Sequence, residues 1–530
     1  FAPEKVQFEF GFGLSYTTFD IETVSADADD EKITLEVKVT NTGDKFSGKE
    51  VVQVYYEAPQ GALGQPARQL CAYEKTENLA PGQSQTLKIA FDINGIDVDA
   101  YSMASYDDSG VTGHKSCYVL EAGDYNFYVG NSVKNNKLAY TYKIEELKVT
   151  EQLSEAACPN DENLTLIKPG KRREDGTYEI TYVPSQKPTV DMAKRIEDNL
   201  PKDMKITGDV GITLQDVKAG KNTIEEFVAQ LTVAELAQIV RGEGMSNPRV
   251  TKGTASAFGG LSDTLFAYGI PAACCADGPS GLRMEGKATQ LPIGTALSAS
   301  WNPKLVRELY TMEGQELYGN QVDTLLGPGV NIHRHPLNGR NFEYYSEDPY
   351  LSGTMSVAST GGIKDGGAWG TIKHFALNGQ ESHRFKIDAV CSERAIRQIY
   401  LKSFEMAVKA GTVKTLMTAY NPINGHWAAS NYDLCTTILR NEWGYDGIVM
   451  TDWWAKMNDV VAGGEESNQD TRDMVRSQND VYMVVNNNGA EVNSNNDNTE
   501  ESIKEGRLTI GELQRAAINI CNFILCNLIF

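Results

Sequence analysis

The chain has 530 residues, 41% of them hydrophobic and 23% charged, a composition that excludes disordered and fibrous proteins and a length that predicts two or three domains. The formal net charge of −22 argues against nucleic acids and anionic membranes as partners, because both would repel the protein at long range. No apolar run reaches the roughly eighteen residues of a membrane span, so we expect no membrane contact and a small neutral substrate.

The cysteines indicate a cellular location for the protein, and the first residue indicates whether the chain is a fragment. Nine cysteines are scattered along it, and the adjacent Cys274 and Cys275 fit disulfide geometry poorly. A reducing compartment is therefore favoured, which predicts a cytoplasmic rather than a secreted location. The sequence begins at Phe1 without a methionine or a signal-like segment, so we expect it to be a fragment of a longer protein.

Residues 1–149 are predicted to form an all-β domain. Ile33, Leu35 and Val37 alternate with polar residues, which is the period of two that a half-buried strand requires. Turn-forming runs such as Asn41-Thr42-Gly43-Asp44 separate such segments at spacings that suit a β-sandwich.

The rest of the chain is predicted to be a connection followed by a barrel. Residues 150–221 are polar and have no sustained period, so we interpret them as a connecting segment with some local structure. Over residues 222–530, helical segments alternate with short apolar runs, the pattern of a (β/α)8 barrel. The predicted strands include Thr324–Leu326, Gly370–Phe375, Thr415–Tyr420 and Gly447–Thr451.

In such a barrel the active site lies at the C-terminal ends of the strands, so the polar residues that close each apolar run are candidates. Taken singly, each of them also has a structural explanation. Asp452 could cap the next helix, and Asp277 could belong to a tight turn. Arg340 could lie in a surface ion-pair loop, and Lys373 with its neighbour His374 could be a solvated strand end.

Together these residues match the requirements of a sugar site. A sugar presents hydroxyls around its ring and an apolar face, so its site needs several rigid hydrogen-bonding groups and an aromatic wall. Asp, Arg, Lys and His side chains supply charge-assisted hydrogen bonds, and Trp or Tyr supplies the wall. The set of strand ends is therefore a more specific signal than any one of its members.

Motifs at these strand ends resemble, in order and spacing, the barrel domain of glycoside hydrolase family 3 β-glucosidases. They are Asp277-Gly278-Pro279-x-Gly281-x-Arg283, Pro336-Leu337-x-Gly339-Arg340-x-Phe342-Glu343, Lys373-His374-Phe375, Ser392-Glu393-Arg394, Met417-x-x-Tyr420-Asn421 and Thr451-Asp452-Trp453. Residues 10–19 and Gly123-Asp124-Tyr125 are similar to that family's fibronectin-III-like domain. The resemblance implies a multidomain protein in which an all-β fibronectin-III-like sandwich is followed by a (β/α)8 barrel.

This domain order is similar to that of the permuted members of the family. In those members an α/β sandwich domain precedes the fibronectin-III-like domain, and the family's usual acid/base glutamate lies on it. The acid/base residue is therefore not assigned here and is expected outside this chain. A second chain that carries the α/β sandwich domain is an expected partner, and a homo-oligomer is an alternative.

The resemblance implies that Asp452 is the catalytic nucleophile. It implies roles in substrate binding for Asp277, Arg340, Lys373, His374, Met417, Tyr420 and Trp453. The first four of these would bind the hydroxyls of a terminal glucose, Met417 and Tyr420 would line the pocket, and Trp453 would form its wall.

Two expectations follow for the local chemistry. Arg340 and Lys373 should lower the pKa of Asp452 and keep it ionised. The side chains of Lys373 and His374 would point to opposite faces of a regular strand, so we predict a strained or cis peptide bond between them.

Other titratable residues near the motifs are interpreted as structural. Glu343 and Glu347 belong to the motif around Arg340. His383 lies where the family's N-acetylglucosaminidases place a catalytic histidine, but its sequence context differs, so we do not assign it that role. His333 and His335 have no third ligand at a convincing spacing, so we expect no metal and no cofactor.

The predicted function is that of a retaining β-glucosidase. It would release β-D-glucose from the non-reducing ends of cellobiose, short β-glucans or aryl glucosides through a glycosyl-enzyme, as in cellulose degradation. One alternative is a β-xylosidase of the same family. Another is a catalytically incomplete carbohydrate-binding fragment that needs a separate α/β sandwich domain.

Overall fold

A computed structural model describes most of the chain and divides it into two compact units. It describes residues 6–29, 31–93, 102–174, 177–245 and 247–527. The first unit runs to Ser154 and also contains Asn163–Gln186, and the second contains Glu155–Glu162 and everything from Lys187 onwards.

The described part of the first unit is built from antiparallel strands. The strands are β1 (Phe19–Ala28), β2 (Lys32–Asn41), β3 (Val51–Glu57), β4 (Gln69–Lys75), β5 (Ser84–Asp92), β6 (Ser105–Asp107), β7 (Cys117–Leu120), β8 (Gly123–Gly130), β9 (Asn136–Ile144), β10 (Lys148–Gln152), β11 (Thr165–Arg172) and β12 (Tyr178–Pro184). They form sheets in the orders β1-β2-β5, β4-β3-β8-β9 and β10-β7-β6, and β11 pairs with β12 in a hairpin.

The alternation in the sequence decides which face of each strand is buried. Ile33, Leu35 and Val37 are fully buried on one face of β2. Across the antiparallel register, Ile33 pairs with Phe91 and Leu35 with Ile89, so apolar residues of two strands meet on the same side. A one-residue slip would expose this whole set, and the buried face therefore fixes the register.

The second unit contains an eight-stranded sheet. In the order of the chain, its strands are β13 (Arg241–Glu243), β14 (Ser256–Gly259), β15 (Ala272–Asp277), β16 (Thr324–Leu326), β17 (Trp369–Phe375), β18 (Thr415–Thr418), β21 (Ile448–Met450) and β24 (Tyr482–Val485). Four short strands form two separate hairpins, β19 (Pro422–Ile423) with β20 (His426–Trp427) and β22 (Met457–Asp459) with β23 (Gly463–Ser467). The predicted strands in this region are all present. An isolated parallel bridge between Met450 and Val481 joins the two edge strands, β21 and β24.

One strand departs from the predicted alternation. Strand β14 pairs antiparallel with both β13 and β15, whereas the other neighbouring strands pair in parallel. The connection from β14 to β15 is short and contains only one small helix, and a short connection favours an antiparallel pair. Strand β14 therefore departs from the parallel pairing of a regular (β/α)8 barrel.

The described part of this unit also contains helices. The α-helices are α1 (Met192–Asp198), α2 (Leu214–Lys218), α3 (Ile224–Ala229), α4 (Val233–Ile239), α5 (Asp263–Ala267), α6 (Gly294–Ser298), α7 (Pro303–Gly319), α8 (Pro349–Gly366), α9 (Glu393–Ala395), α10 (Lys402–Lys409), α11 (Thr471–Arg476), α12 (Thr499–Lys504) and α13 (Ile510–Leu525), with π-helical turns at Ile396–Tyr400 and Asp433–Glu442 and a 3₁₀ turn at Ala428–Ser430. Phe523 and Ile524 of α13 pack in the same apolar core as Phe258 and Val481. Within the described residues, no helix has the length and apolar character to span a bilayer.

A buried ion pair anchors the loop that follows β24. The Arg241 guanidinium donates to both carboxylate oxygens of Asp497, at 2.6 and 3.2 Å, and to the carbonyl oxygen of Ala490 at 2.9 Å. Both members of the pair are 1% exposed. Loss of one member would leave the other charge buried, which is far more costly than loss of both.

We therefore predict that Arg241→Met lowers the free energy of unfolding by about 3–5 kcal/mol. The double variant Arg241→Met with Asp497→Leu should recover most of that loss, because the uncompensated carboxylate is gone. Urea denaturation followed by fluorescence measures both variants. The anchoring role is wrong if the single variant is as stable as the wild type or if the double variant is no better than the single one.

A second buried group makes stability depend on pH. Burial raises the pKa of the Glu313 carboxyl to about 8, and neither of its oxygens has a hydrogen-bond partner among the described residues. The folded protein therefore holds a proton that the unfolded chain releases near the ordinary glutamate pKa. The stabilising contribution of this proton is complete below that ordinary value and disappears as the pH rises towards 8.

Glu313→Gln keeps the shape of the side chain but cannot ionise. Between about pH 5 and 8, we expect the free energy of unfolding of this variant to fall less than that of the wild type. Glu308→Gln, on the exposed side of the same helix α7, is the matched control and should follow the wild type. Urea denaturation at several pH values measures the free energy of unfolding. If this free energy changed with pH equally in Glu313→Gln and the wild type, the assignment would be contradicted.

Candidate active site

The structure brings the predicted polar residues together at the C-terminal ends of strands of the eight-stranded sheet. Lys373 Nζ, on β17, lies 3.2 Å from a carboxylate oxygen of Asp277, at the end of β15. His374 Nε2 lies 2.8 Å from Arg340 Nη1 and 3.7 Å from Asp452 Oδ2. Residues that are far apart in sequence thus form one continuous cluster.

The turn after β15 holds Asp277 at the edge of this cluster. Gly278 has a φ of 137°, and a Cβ at that position would lie 1.9 Å from the carbonyl oxygen of Gly281, so only glycine fits. The Asp277 carboxylate accepts from Arg283 Nη1 at 3.0 Å and from Lys373 Nζ at 3.2 Å. Burial opposes its ionisation, but these two cations outweigh it and lower the pKa of Asp277.

Asp452 follows β21 and is 7% exposed. Its Oδ1 accepts from the Trp453 amide at 2.8 Å, and its carboxylate also accepts a hydrogen bond from the Tyr420 hydroxyl. Its carboxylate is therefore fixed in direction by one backbone donor and one side-chain donor.

Arg340 and Lys373 lower the pKa of Asp452, as predicted, but they do not keep it below its ordinary value. Burial raises the pKa, and the Trp453 amide, Lys373, Arg340 and Tyr420 act in the opposite direction without cancelling it. The dry surroundings of the carboxylate outweigh two cations, because desolvation penalises the charged form.

His374 links the cluster to a buried tyrosine. Burial and the nearby Arg340 keep its pKa well below the ordinary value, so the ring is neutral. The guanidinium donates to Nε2, which assigns the remaining N–H to Nδ1, and this group donates to Tyr344 Oη at 3.1 Å. Tyr344 Oη also accepts from Asn378 Nδ2 at 2.9 Å.

The backbone at Lys373 and His374 explains how both side chains reach one site. The peptide bond between them is cis, as predicted, and the bond between Phe375 and Ala376 is also cis. The side chain of Asn331 is hydrogen-bonded to the backbone of His374 twice. It accepts from the His374 amide at 2.7 Å and donates to the His374 carbonyl oxygen at 2.9 Å.

The remaining predicted residues lie in the same part of the unit. Met417 is buried in β18, and it belongs to the same apolar core as Tyr420. Trp453 is half-buried and packs against that core. Glu343 forms a short ion pair with the Nε of Arg340, which agrees with the structural interpretation of this glutamate.

Sequence reasoning missed several side chains of the cluster. Asn331 precedes the Arg340 motif and Tyr344 directly follows it. No property of the sequence distinguished either of them from core residues. Arg384 lies 4.6 Å and Phe385 4.4 Å from the ring centre of Tyr420. The signal for the last two was the cationic and aromatic pair Arg384-Phe385, nine residues after Phe375 and directly after His383, in a loop that was considered only for His383.

The histidines outside the cluster form no metal site in the part of the chain that the structure describes. Burial lowers the pKa of His333, and His335 Nδ1 accepts from the Leu337 amide at 3.1 Å. No group of three or more His, Cys, Asp or Glu side chains among the described residues is arranged to hold a metal ion.

Comparison with known proteins connects both units to one family. The profile of the glycosyl hydrolase family 3 N-terminal domain matches residues 207–523, and that of a fibronectin type III-like domain matches residues 50–133. A β-glucosidase of Ruminococcus albus is 48% identical over 527 residues, which are 99% of this chain and 53% of that protein. β-Glucosidase A of Butyrivibrio fibrisolvens is 38% identical over 88% of this chain and 58% of its own length.

A solved structure agrees with these relatives. The crystal structure of a β-glucosidase from Paenibacillus barengoltzii is 59% identical, superimposes with a TM-score of 0.97, and is matched over 100% of this chain and 57% of that one. The chain thus spans little more than half the length of the relatives that it matches. The resemblance read from the strand-end motifs is confirmed, and the chain belongs to glycosyl hydrolase family 3.

Proposed function

We propose that this chain is the glucose-binding and nucleophile-bearing part of a retaining β-glucosidase. Its substrates would be β-linked glucosides with a free non-reducing end, including cellobiose, short β-glucans and aryl glucosides. The observation that carries the proposal is the buried Asp452 carboxylate, which accepts from Tyr420 and lies 3.7 Å from His374 in a cluster that also holds Lys373 and Arg340. The relatives that cover nearly the whole chain are β-glucosidases.

In the proposed reaction an Asp452 oxygen attacks the anomeric carbon of the bound glucose. The bond to the leaving oxygen breaks as the carboxylate–carbon bond forms, which gives a covalent glycosyl-enzyme with inverted configuration. Water then attacks the same carbon and restores the original configuration, its proton passes to the group that protonated the leaving oxygen, and Asp452 leaves as a carboxylate. The Tyr420 hydroxyl and the Trp453 amide hold the attacking carboxylate in place.

We propose that the other clustered residues bind the sugar. Asp277 can accept hydrogen bonds from hydroxyls, while Arg340 and Lys373 can donate them, and all three do so with charge assistance. His374, whose Nε2 lies 3.7 Å from Asp452 Oδ2, would be the fourth residue of this set. Met417, Tyr420 and Trp453 would supply the apolar contacts.

The general acid remains to be assigned. Retention requires a second carboxyl at about 5–5.5 Å from the nucleophile. Asp277 is a poor proton donor, because its two cationic partners lower its pKa, and Glu343 is committed to Arg340. We therefore propose that a group outside this chain supplies the acid.

We also infer that the eight-stranded sheet is a (β/α)8 barrel in which one strand is reversed. The order of the strands and the bridge between Met450 and Val481 support closure of the sheet. The positions of the candidate residues at the C-terminal ends of β15, β17, β18 and β21 agree with the end of such a barrel that carries active sites.

The nucleophile assignment predicts where a mechanism-based label attaches. The label is 2,4-dinitrophenyl 2-deoxy-2-fluoro-β-D-glucoside, whose dinitrophenolate group leaves without acid assistance. Its 2-fluoro sugar should form a stable adduct on Asp452. Asp452→Asn should form none, whereas Asp446→Asn should be labelled like the wild type. Asp446 is an exposed carboxylate at the opposite end of the same strand, which makes it a matched control.

Intact-protein and peptide mass spectrometry provide the measurement. A label on another residue would disprove the role of Asp452. Binding of glucosides without any label in the wild type would favour the carbohydrate-binding alternative instead.

The contact between Tyr420 and Asp452 predicts a change in the pH profile. Tyr420→Phe removes a hydrogen bond that lowers the pKa of Asp452, so the nucleophile should ionise at a higher pH. The acid limb of kcat/KM for 2,4-dinitrophenyl β-D-glucoside should move upwards, and the plateau should fall by about 10- to 100-fold, the worth of a hydrogen bond to a charged group.

Tyr445→Phe is the control for this experiment. The Tyr445 hydroxyl donates to the Ile448 carbonyl oxygen at 2.8 Å, at the other end of the strand, so its loss should leave the acid limb in place. An unchanged limb in Tyr420→Phe, or an equal shift in both variants, would contradict the proposed contact.

A further inference from the structure

A cavity of about 820 Å³ lies at the end of the eight-stranded sheet that is opposite the candidate active site. Its lining includes Ala272 and Cys274, at the start of β15, and Asp323, which directly precedes β16. Asp277 of the active-site cluster closes β15 at the other end, which is about 16 Å from Ala272 along a strand. The cavity has the volume of a small-molecule site and is separate from the residues proposed to bind glucose.

A buried carboxyl and a buried amide form the inner end of this cavity. Asp323 is 7% exposed, its Oδ2 accepts from the Cys274 amide at 2.5 Å, and its Oδ1 accepts from Asn527 Nδ2. Asn527 is 5% exposed, and its Oδ1 has no hydrogen-bond partner among the described residues. Because a carboxylate accepts up to about four hydrogen bonds, the pair has unused acceptor capacity.

The outer part of the cavity is apolar and aromatic. Val250 and Ile524 contribute to the wall, together with the ring of Phe266, which is 53% exposed. The Arg249 guanidinium lies 4.7 Å from the centre of this ring and is paired with Asp263 at 2.5 Å. The lining therefore offers an aromatic surface at the mouth and hydrogen-bond acceptors at the inner end, the combination that a sugar requires.

The charges of the lining favour a neutral ligand. Its cations are Lys218 and Arg249, and its anion is Asp323. Burial raises the pKa of Asp323 to about 6, so this group is ionised at neutral pH and would repel a phosphate or carboxylate at the inner end. An ammonium group would meet two cations instead. A neutral molecule with several hydroxyl donors satisfies the acceptors without burying a further charge.

We propose that this cavity is a second, non-catalytic binding site for neutral carbohydrate of one or two sugar rings. Asp323 and Asn527 accept hydrogen bonds from the hydroxyls, and Phe266 packs against the C–H face of a ring. The inference goes beyond the proposed function and does not depend on it, because no residue of the Asp452 cluster lines the cavity.

The experiment maps binding to the whole chain with a photoreactive thiocellobioside. In this probe sulfur replaces both glycosidic oxygens and the reducing-end group carries a diazirine, so the ligand resists hydrolysis. After irradiation at neutral pH, peptide mass spectrometry should find the label in the segments 248–251 and 266–274, and excess unlabelled thiocellobiose should displace it. Label near Asp452 reports separately on the proposed function, so a failure there is distinguishable from a failure at the cavity.

Two variants test the lining. Phe266→Ala removes the ring and should raise the probe concentration for half-maximal labelling of the cavity segments about tenfold, the typical worth of an aromatic contact with its buried area. Ala272→Phe should abolish that labelling, because the new ring fills the cavity. Labelling near Asp452 should be the same in both variants as in the wild type.

Phe46→Ala is the matched control. Its ring is 46% exposed, and Lys45 Nζ lies 5.0 Å from the ring centre, so it reproduces a cation–phenylalanine pair in the first unit. This variant should be labelled like the wild type.

Several results would overturn the inference. They are an absence of label from the segments 248–251 and 266–274, label there that excess thiocellobiose does not displace, and label there that is unchanged in either cavity variant. An equal loss in Phe46→Ala would show that the effect is not specific to the cavity. Displacement by glucose 6-phosphate at a lower concentration than by glucose would disprove the preference for a neutral sugar.

Discussion

The site is governed by the need to keep a carboxylate charged where water is largely excluded. Asp452 is buried, and burial raises its pKa in spite of two cations and two hydrogen-bond donors. Every neighbour therefore has to contribute to ionisation, and none of them can be neutralised without moving the pKa further upwards. This constraint explains why cations and donors are concentrated at the ends of so few strands.

The cations of the cluster are themselves held by anions. Lys373 contacts Asp277, Arg340 contacts Glu343, and Arg384 contacts Glu381. His374 stays neutral between Arg340 and Tyr344 and so adds no further positive charge. The result is a nearly balanced set of charges whose members are held in place by partners of opposite sign, and charges already in position need little reorganisation during a reaction.

The sequence predicted the parts of the structure that depend on local pattern. Strands such as Thr324–Leu326 and the convergence of Asp277, Lys373 and His374 followed from apolar runs that end in polar residues. The reversed direction of β14 could not be predicted in this way, because a four-residue apolar strand carries no signal for its direction. The hairpin of β11 and β12 was read only as local structure, since Pro169 and several charged residues interrupt its alternation. The pKa of Asp452 depends on three-dimensional burial, which no motif records.

The seam of the eight-stranded sheet lies next to Asp452. Met450 meets Val481 there, the Thr451 amide donates to the Val481 carbonyl oxygen at 3.0 Å, and the Met483 amide donates to the Thr451 hydroxyl at 2.8 Å. The backbone that carries the proposed nucleophile thus gains its second neighbouring segment only from residues 481–483. During synthesis, this segment must leave the ribosome before the Asp452 carboxylate acquires its final orientation, so the edge of the sheet at Asp452 is the last part of it to be completed.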